Sequence, residues 1–217
     1  MIITDQFVFA HIPKTGGMFL QSVIGRFFAV MEVRQGNDSH HSVEFLAPEH
    51  RTKPIFALVR NPWSWYVSWF HFCERQGDNP EFTRNHVQGP RAFVETITRL
   101  LTPNHSDASI NQFMREQDMG LMEMHRFHIL DLENQAHDLT QGRLEFLAQD
   151  FLDFLHVKSI PVPQGLPSAL HGKPSNSSGH GPWRNYYDEP LRALVVRKER
   201  AIVRLGGYCF EGEEPAL

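Results

Sequence analysis

Two separated clusters in this 217-residue chain carry groups suited to holding anions. The first is Lys14-Thr15-Gly16-Gly17. Glycine lets a backbone approach an anion and adopt positive φ, lysine brings a point charge, and a threonine hydroxyl can donate. The second is Arg60, with Ser68 two helical turns further on in RNPWSWYVS. An arginine closing an apolar run needs a partner, and a phosphate accepting two parallel hydrogen bonds supplies one. A P-loop of the metal-dependent kind would read GxxxxGK[ST], with a strand-end aspartate for Mg²⁺. Here the lysine precedes the glycines and the second run ends in arginine, so the pattern suits a nucleotide phosphorylated at two places and neutralised by protein cations.

The elements that must position these groups can be read on either side of them. Phe7–His11 (FVFAH) has the composition of a buried strand, and Leu20, Val23, Ile24, Phe27 and Phe28 are spaced for one helix face. Strand, glycine turn and helix in that order aim backbone N–H groups at an anion. Pro54–Val59 (PIFALV) reads as a second buried strand ending at Arg60. Asn61-Pro62 reads as an N-cap followed by a proline-initiated helix to about Gln76, apolar almost all round except at Ser64, Ser68, His71 and Arg75. Further helices are expected over 91–101, 108–117 and 120–130, a strand at Arg143–Glu145 feeding a helix from Leu147 to Leu155, and one last helix running from Asp188 to the Gly206-Gly207 stop. Alternating strands and helices predict an α/β fold with a mainly parallel central sheet, whose ligand edge lies beyond the strands' carboxyl ends.

Composition narrows the function classes. The formal net charge is -4 with no long basic run, which argues against nucleic acid as a partner. Two cysteines, Cys73 and Cys209, make no disulfide framework. No stretch approaches the ~20 apolar residues of a membrane span, and the first residues lack a secretory signal's pattern. A cytoplasmic protein is the expectation.

At the two clusters the sequence resembles the PAPS-dependent sulfotransferase superfamily, most closely its bacterial and carbohydrate-type branch; PAPS is 3′-phosphoadenosine 5′-phosphosulfate. HIPKTGG (His11–Gly17) is similar to the family's 5′-phosphosulfate loop, and RNPWSWYVSWFHF (Arg60–Phe72) to its 3′-phosphate segment. RLEFLAQDF (Arg143–Phe151) and PWRNYYDEPLRALV (Pro182–Val195) extend the likeness more faintly. The resemblance implies a P-loop-type three-layer fold: one domain over 1–217, with a helical insert at about 77–130 and a nucleotide-closing loop at about 158–182. It implies that Lys14, Thr15, Gly16, Gly17 and the Met18 backbone hold the 5′ side, and that Arg60 and Ser68 hold the 3′-phosphate. Lys173 and Arg184 would close over the nucleotide. Met18 stands where relatives usually carry Ser or Thr, removing a donor worth ~1.5–3 kcal/mol. Trp65 stands where many carry arginine.

The implied reaction is metal-independent, in-line sulfuryl transfer from PAPS to a hydroxyl or amine of a small-molecule or carbohydrate acceptor. Lys14 would stabilise charge on the departing phosphate and a histidine would take the acceptor's proton. His41 is the first candidate base, with His40 and Glu44 as alternatives. His125 with His128, and His105 with Asp107, are spaced as beginnings of metal sites, but neither has a third ligand in the sequence. A P-loop kinase or nucleotidase and a non-catalytic nucleotide-binding relative are the alternative functions.

Overall fold

The computed structural model describes residues 1–34, 40–77, 79–102, 110–134, 137–172 and 179–211. The chain divides into two compact units, Met1–Arg60 with His125–Ser177 and Asn61–Met124 with Ser178–Leu217.

The first unit is built on a five-stranded sheet: β1 (Ile2–Thr4), β2 (Val8–Ala10), β3 (Val30–Val33), β4 (Ile55–Val59) and β5 (Leu139–Arg143) in the order β3-β1-β2-β4-β5. β2, β4 and β5 run parallel, with Phe9 opposite Phe56 and Val59 opposite Arg143. β1 and β3 add an antiparallel margin. The parallel core is the predicted one. β4 supplies five consecutive buried residues, as a strand covered on both faces must.

Helices α1 (Gly17–Phe27), α7 (Leu147–Val157) and α8 (Leu166–Leu170) pack on one face of this sheet. Leu20, Val23 and Ile24 meet Phe9, Phe56, Phe151 and Phe154 there, with Phe7 edge-on to Phe151 and Phe154. Residues on the opposite face, such as Val8, Ala10, Ala57 and Val59, are 0 % exposed, so both faces are shielded from water. The strand expected at Arg143–Glu145 instead ends at Arg143; Leu144–Phe146 form a 3-10 turn into α7. The closing-loop region contains α8, and Lys173 lies outside the described residues, as do His105 and Asp107.

The second unit is helical: α2 (Pro62–Gln76), α3 (Pro80–Asn85), α4 (Ala92–Leu101), α5 (Ile110–Glu116), the start of α6 (Leu121–Ile129), α9 (Glu189–Lys198) and α10 (Arg200–Gly206). α2 begins as its sequence demands, with Asn61 Oδ1 accepting from the Ser64 N–H at 3.2 Å and proline in the first turn. Trp63, Trp65 and Trp69 are all buried, and Phe70 packs edge-on to Phe82 and Phe93. The single last helix expected from Asp188 to Gly206 is two helices, broken at Glu199. That carboxyl is wholly buried and accepts from the Met122 N–H (3.2 Å), the Glu123 N–H (2.8 Å) and the Tyr66 hydroxyl. Tyr66 in turn accepts from the Leu121 N–H at 3.0 Å. Two side chains thus satisfy the first three N–H groups of α6, which no carbonyl within that helix can reach. No helix among the described residues is long and apolar enough to cross a membrane.

Candidate functional site

In the first unit, β2 delivers the chain to His11 and the loop Pro13–Gly16, and α1 starts at Gly17. The loop is wound tightly: Lys14 and Gly16 both occupy the left-handed region, at φ 61° and 78°. A left-handed lysine is strained by ~1–3 kcal/mol, a cost tolerated where surrounding structure dictates the backbone. Alternating handedness in such a turn makes successive N–H groups converge into an anion-binding hollow. The N–H groups of Gly17 and Met18 lie in the first turn of α1, where no intrahelical carbonyl is available.

Each glycine has its own packing reason. A Cβ on Gly16 would lie 2.5 Å from Leu144 Cδ1, and one on Gly17 would lie 1.9 Å from His11 Cδ2. The loop is therefore pressed between the end of β5 and the His11 ring. Thr15, assigned a donor role toward the anion, is 0 % exposed, and its hydroxyl donates to the Ile12 carbonyl at 2.8 Å. Its proton is spent inside the loop, leaving any phosphate contact of Thr15 to its backbone. Met18 projects into solvent, 58 % exposed.

Arg60 leaves β4, the parallel neighbour of β2, and its Nη1 donates to the Lys14 carbonyl at 3.2 Å. Sequence reasoning located Lys14 and Arg60 separately; the structure brings the Arg60 guanidinium against the backbone of the Lys14 loop, at the carboxyl ends of adjacent strands. One strand further on, Arg143 is held by Asp150 through Nε (3.0 Å), Nη2 (3.1 Å) and its backbone N–H (2.7 Å), and lies over the Phe146 ring.

A histidine cluster adjoins the loop. His40 is half-buried, its ring 4.6 Å from that of His11, and its Nδ1 donates to the His11 carbonyl at 2.8 Å. A carbonyl only accepts, so Nδ1 carries the proton and Nε2 keeps its lone pair. Burial holds the proton affinity of His40 below the ordinary histidine value. Burial first, then His40, the chain's amino group and Lys14, push His11 down to about 3. The His11 Nδ1 is buried with no hydrogen-bond partner among the described residues. His125, on α6, is pushed down to about 4 by burial, His40 and His128. The sequence offered His125 only as half of a metal-site spacing with no third ligand, and gave His11 no role of its own. Only the fold reveals that both lie within electrostatic reach of His40.

His41, the first candidate base, has a different environment. It is exposed, its ring rests 5.8 Å from Phe45, and Arg34 Nη1 is 3.4 Å from its Nδ1. Glu44 is also exposed, on a 3-10 turn capped by Ser42. No group of three or more metal-ligating side chains occurs among the described residues.

In the second unit, Ser68 is 3 % exposed on α2. Arg184 is exposed, with Nε donating to the Phe210 carbonyl at 3.0 Å and its guanidinium 4.3 Å from the Trp183 ring centroid. His71, from the polar stripe of α2, pairs with Glu74 Oε2 (3.1 Å) through Nδ1 and with the Tyr186 hydroxyl (2.9 Å) through Nε2.

No protein-family model and no curated protein matches this chain in sequence. Among solved structures it is similar to mouse sulfotransferase SULT7A1 complexed with PAP, at a TM-score of 0.52 and 17% sequence identity. The likeness covers 94% of this chain and 88% of that one. With its parallel β2-β4-β5 core flanked by helices, the chain has the P-loop-type α/β fold of a sulfotransferase.

Proposed function

We propose that this chain is an enzyme that binds PAPS and transfers its sulfuryl group to a hydroxyl or amine of a small-molecule or carbohydrate acceptor, using protein cations where related nucleotidases use a metal. The observation that carries the reading is the junction of the Lys14 loop with Arg60, closed by the 3.2 Å bond between them. The sulfotransferase fold supports it. In this reading the backbone of Lys14–Met18 holds the 5′-phosphosulfate, Arg60 holds the 3′-phosphate, and Ser68, Lys173 and Arg184 are assigned to the nucleotide by resemblance alone.

In this reading Lys14 neutralises charge gathering on the phosphate oxygen as the bond to sulfur breaks, and a preset cation there favours the transition state over the ground state. The new bond forms between sulfur and the acceptor atom, whose proton goes to a histidine. We assign that role to His40 in preference to His41, because the His11 carbonyl holds the proton of His40 on Nδ1 and leaves Nε2 as its basic nitrogen.

Adenosine 3′,5′-bisphosphate in the presence of a chelator should raise the melting temperature. The gain is about 2.7 kcal/mol at about one hundred times Kd. Arg60→Ala should erase most of the gain, and ATP with Mg²⁺ should give little. An undiminished gain in Arg60→Ala, or a larger response to ATP with Mg²⁺, would overturn the reading.

A further inference from the structure

β3 closes one side of the sheet with all four of its residues exposed, Met31 at 59 % and Val33 at 43 % among them. Sheets usually blunt such margins, because a bare row of N–H and C=O groups invites another strand. A bulge does so here at one end, where the register shifts between Ile3 and Thr4 opposite Val30–Glu32. The other end, Glu32–Arg34, is regular.

Its direction can be worked out from the bonds it already makes. The Arg34 N–H donates to the Met1 carbonyl at 3.0 Å, and Glu32 lies opposite Ile3. Alternate residues of a strand turn their main-chain groups the same way, so Glu32 and Arg34 face β1 and Val33 faces outward. The side chains of Glu32 and Arg34 share one face of the strand and are paired with each other at 2.7 Å.

We propose that this margin is where a second copy of the chain binds, β3 pairing antiparallel with its counterpart about a two-fold axis at Val33. In that register the two Val33 residues exchange both main-chain hydrogen bonds. Glu32 of each copy falls directly opposite Arg34 of the other. Opposite charges directly across an antiparallel pair attract and like charges repel, so the segment is complementary to itself in charge as well as in main-chain pattern. The contact would join two five-stranded sheets into one. Phe45, 62 % exposed with its carbonyl accepting from Arg34 Nη2 at 3.4 Å, flanks the same segment and would lose exposure in the pair.

The test is sedimentation of the full chain and of charge-reversed variants, with circular dichroism to verify folding. The wild type should sediment at twice its 25.1 kDa mass. Glu32→Arg alone and Arg34→Glu alone should each sediment as a monomer, since like charges would then meet twice across the axis. A mixture of those two variants should regain the dimer, because every cross-pair is again opposite in sign; a variant that had merely failed to fold would not be restored by mixing. The doubly exchanged chain should dimerise as well. A monomeric wild type at high micromolar concentration, a dimer indifferent to both reversals, or a mixture that stays monomeric overturns the proposal.

Discussion

His40 and His41 are chemically identical neighbours, and what separates them is the partner of each Nδ1. The His11 carbonyl fixes the proton of His40 on Nδ1, whereas Arg34, a pure donor, requires the Nδ1 of His41 to be the bare nitrogen. His40→Gln should lower release of bisphosphate from PAPS by ~10²–10⁴-fold, the usual worth of a positioned base, and His41→Gln should leave it largely unchanged. Burial lowers the proton affinity of His40, so its neutral form persists into mild acid. The acid limb of the kcat/KM profile should therefore fall below the ordinary histidine value of ~6.5 and vanish in His40→Gln. A limb that persists in that variant assigns the proton to another group. Lys14→Ala should cost ~10²–10³-fold in kcat with a smaller loss of bisphosphate affinity, because its charge acts mainly as the bond breaks. Equal losses in both would make Lys14 a binding residue only.

Among the elements, the break between α9 and α10 carries a buried titratable group, Glu199. Burial pushes the Glu199 carboxyl up to about 7, although the Tyr66 hydroxyl bonded to it pulls the other way. Folding raises its proton affinity, so its contribution to stability is complete below the ordinary value of 4.5 and declines as pH rises through about 7. Glu199→Gln keeps an acceptor for the α6 N–H groups without the charge. The difference in melting temperature between wild type and Glu199→Gln should therefore drift with pH across that interval, in the direction of wild-type loss at the higher values. A constant difference would mean that Glu199 does not change protonation there. Gly120 belongs to the same knot, since a Cβ there would lie 1.9 Å from Glu199 Oε1.

For the molecule as a whole, what could be read from the sequence depended on whether a signal is local. β2, β4 and the start of α2 are specified by continuous apolar runs and by Asn61-Pro62, and those are the elements that carry Lys14 and Arg60 to one margin. β3 escaped because all four of its residues are exposed and show no alternation of buried and open positions. The break at Glu199 was hidden because a buried glutamate is spelled like a surface one, and its partners Tyr66 and Met122 are distant in sequence. The roles of Gly17 and His11 depend on a contact between two side-chain positions that no spacing rule encodes. In the same way, nothing in the order of residues distinguishes the Nδ1 partner of His40 from that of His41.

Arg143 stands beside the Arg60 strand end yet is gripped from three directions by Asp150. Under the proposed function that grip implies selectivity by subtraction: the protein keeps a second guanidinium muzzled by a carboxylate beside the strand end assigned to the nucleotide. Setting it loose with Asp150→Asn should make that end greedier and less discerning, so that inorganic sulfate or phosphate competes more effectively with the bisphosphate in a displacement titration. An unaltered competition would mean that Arg143 points away from the incoming anion even when unbound, and serves only to pin β5 to α7.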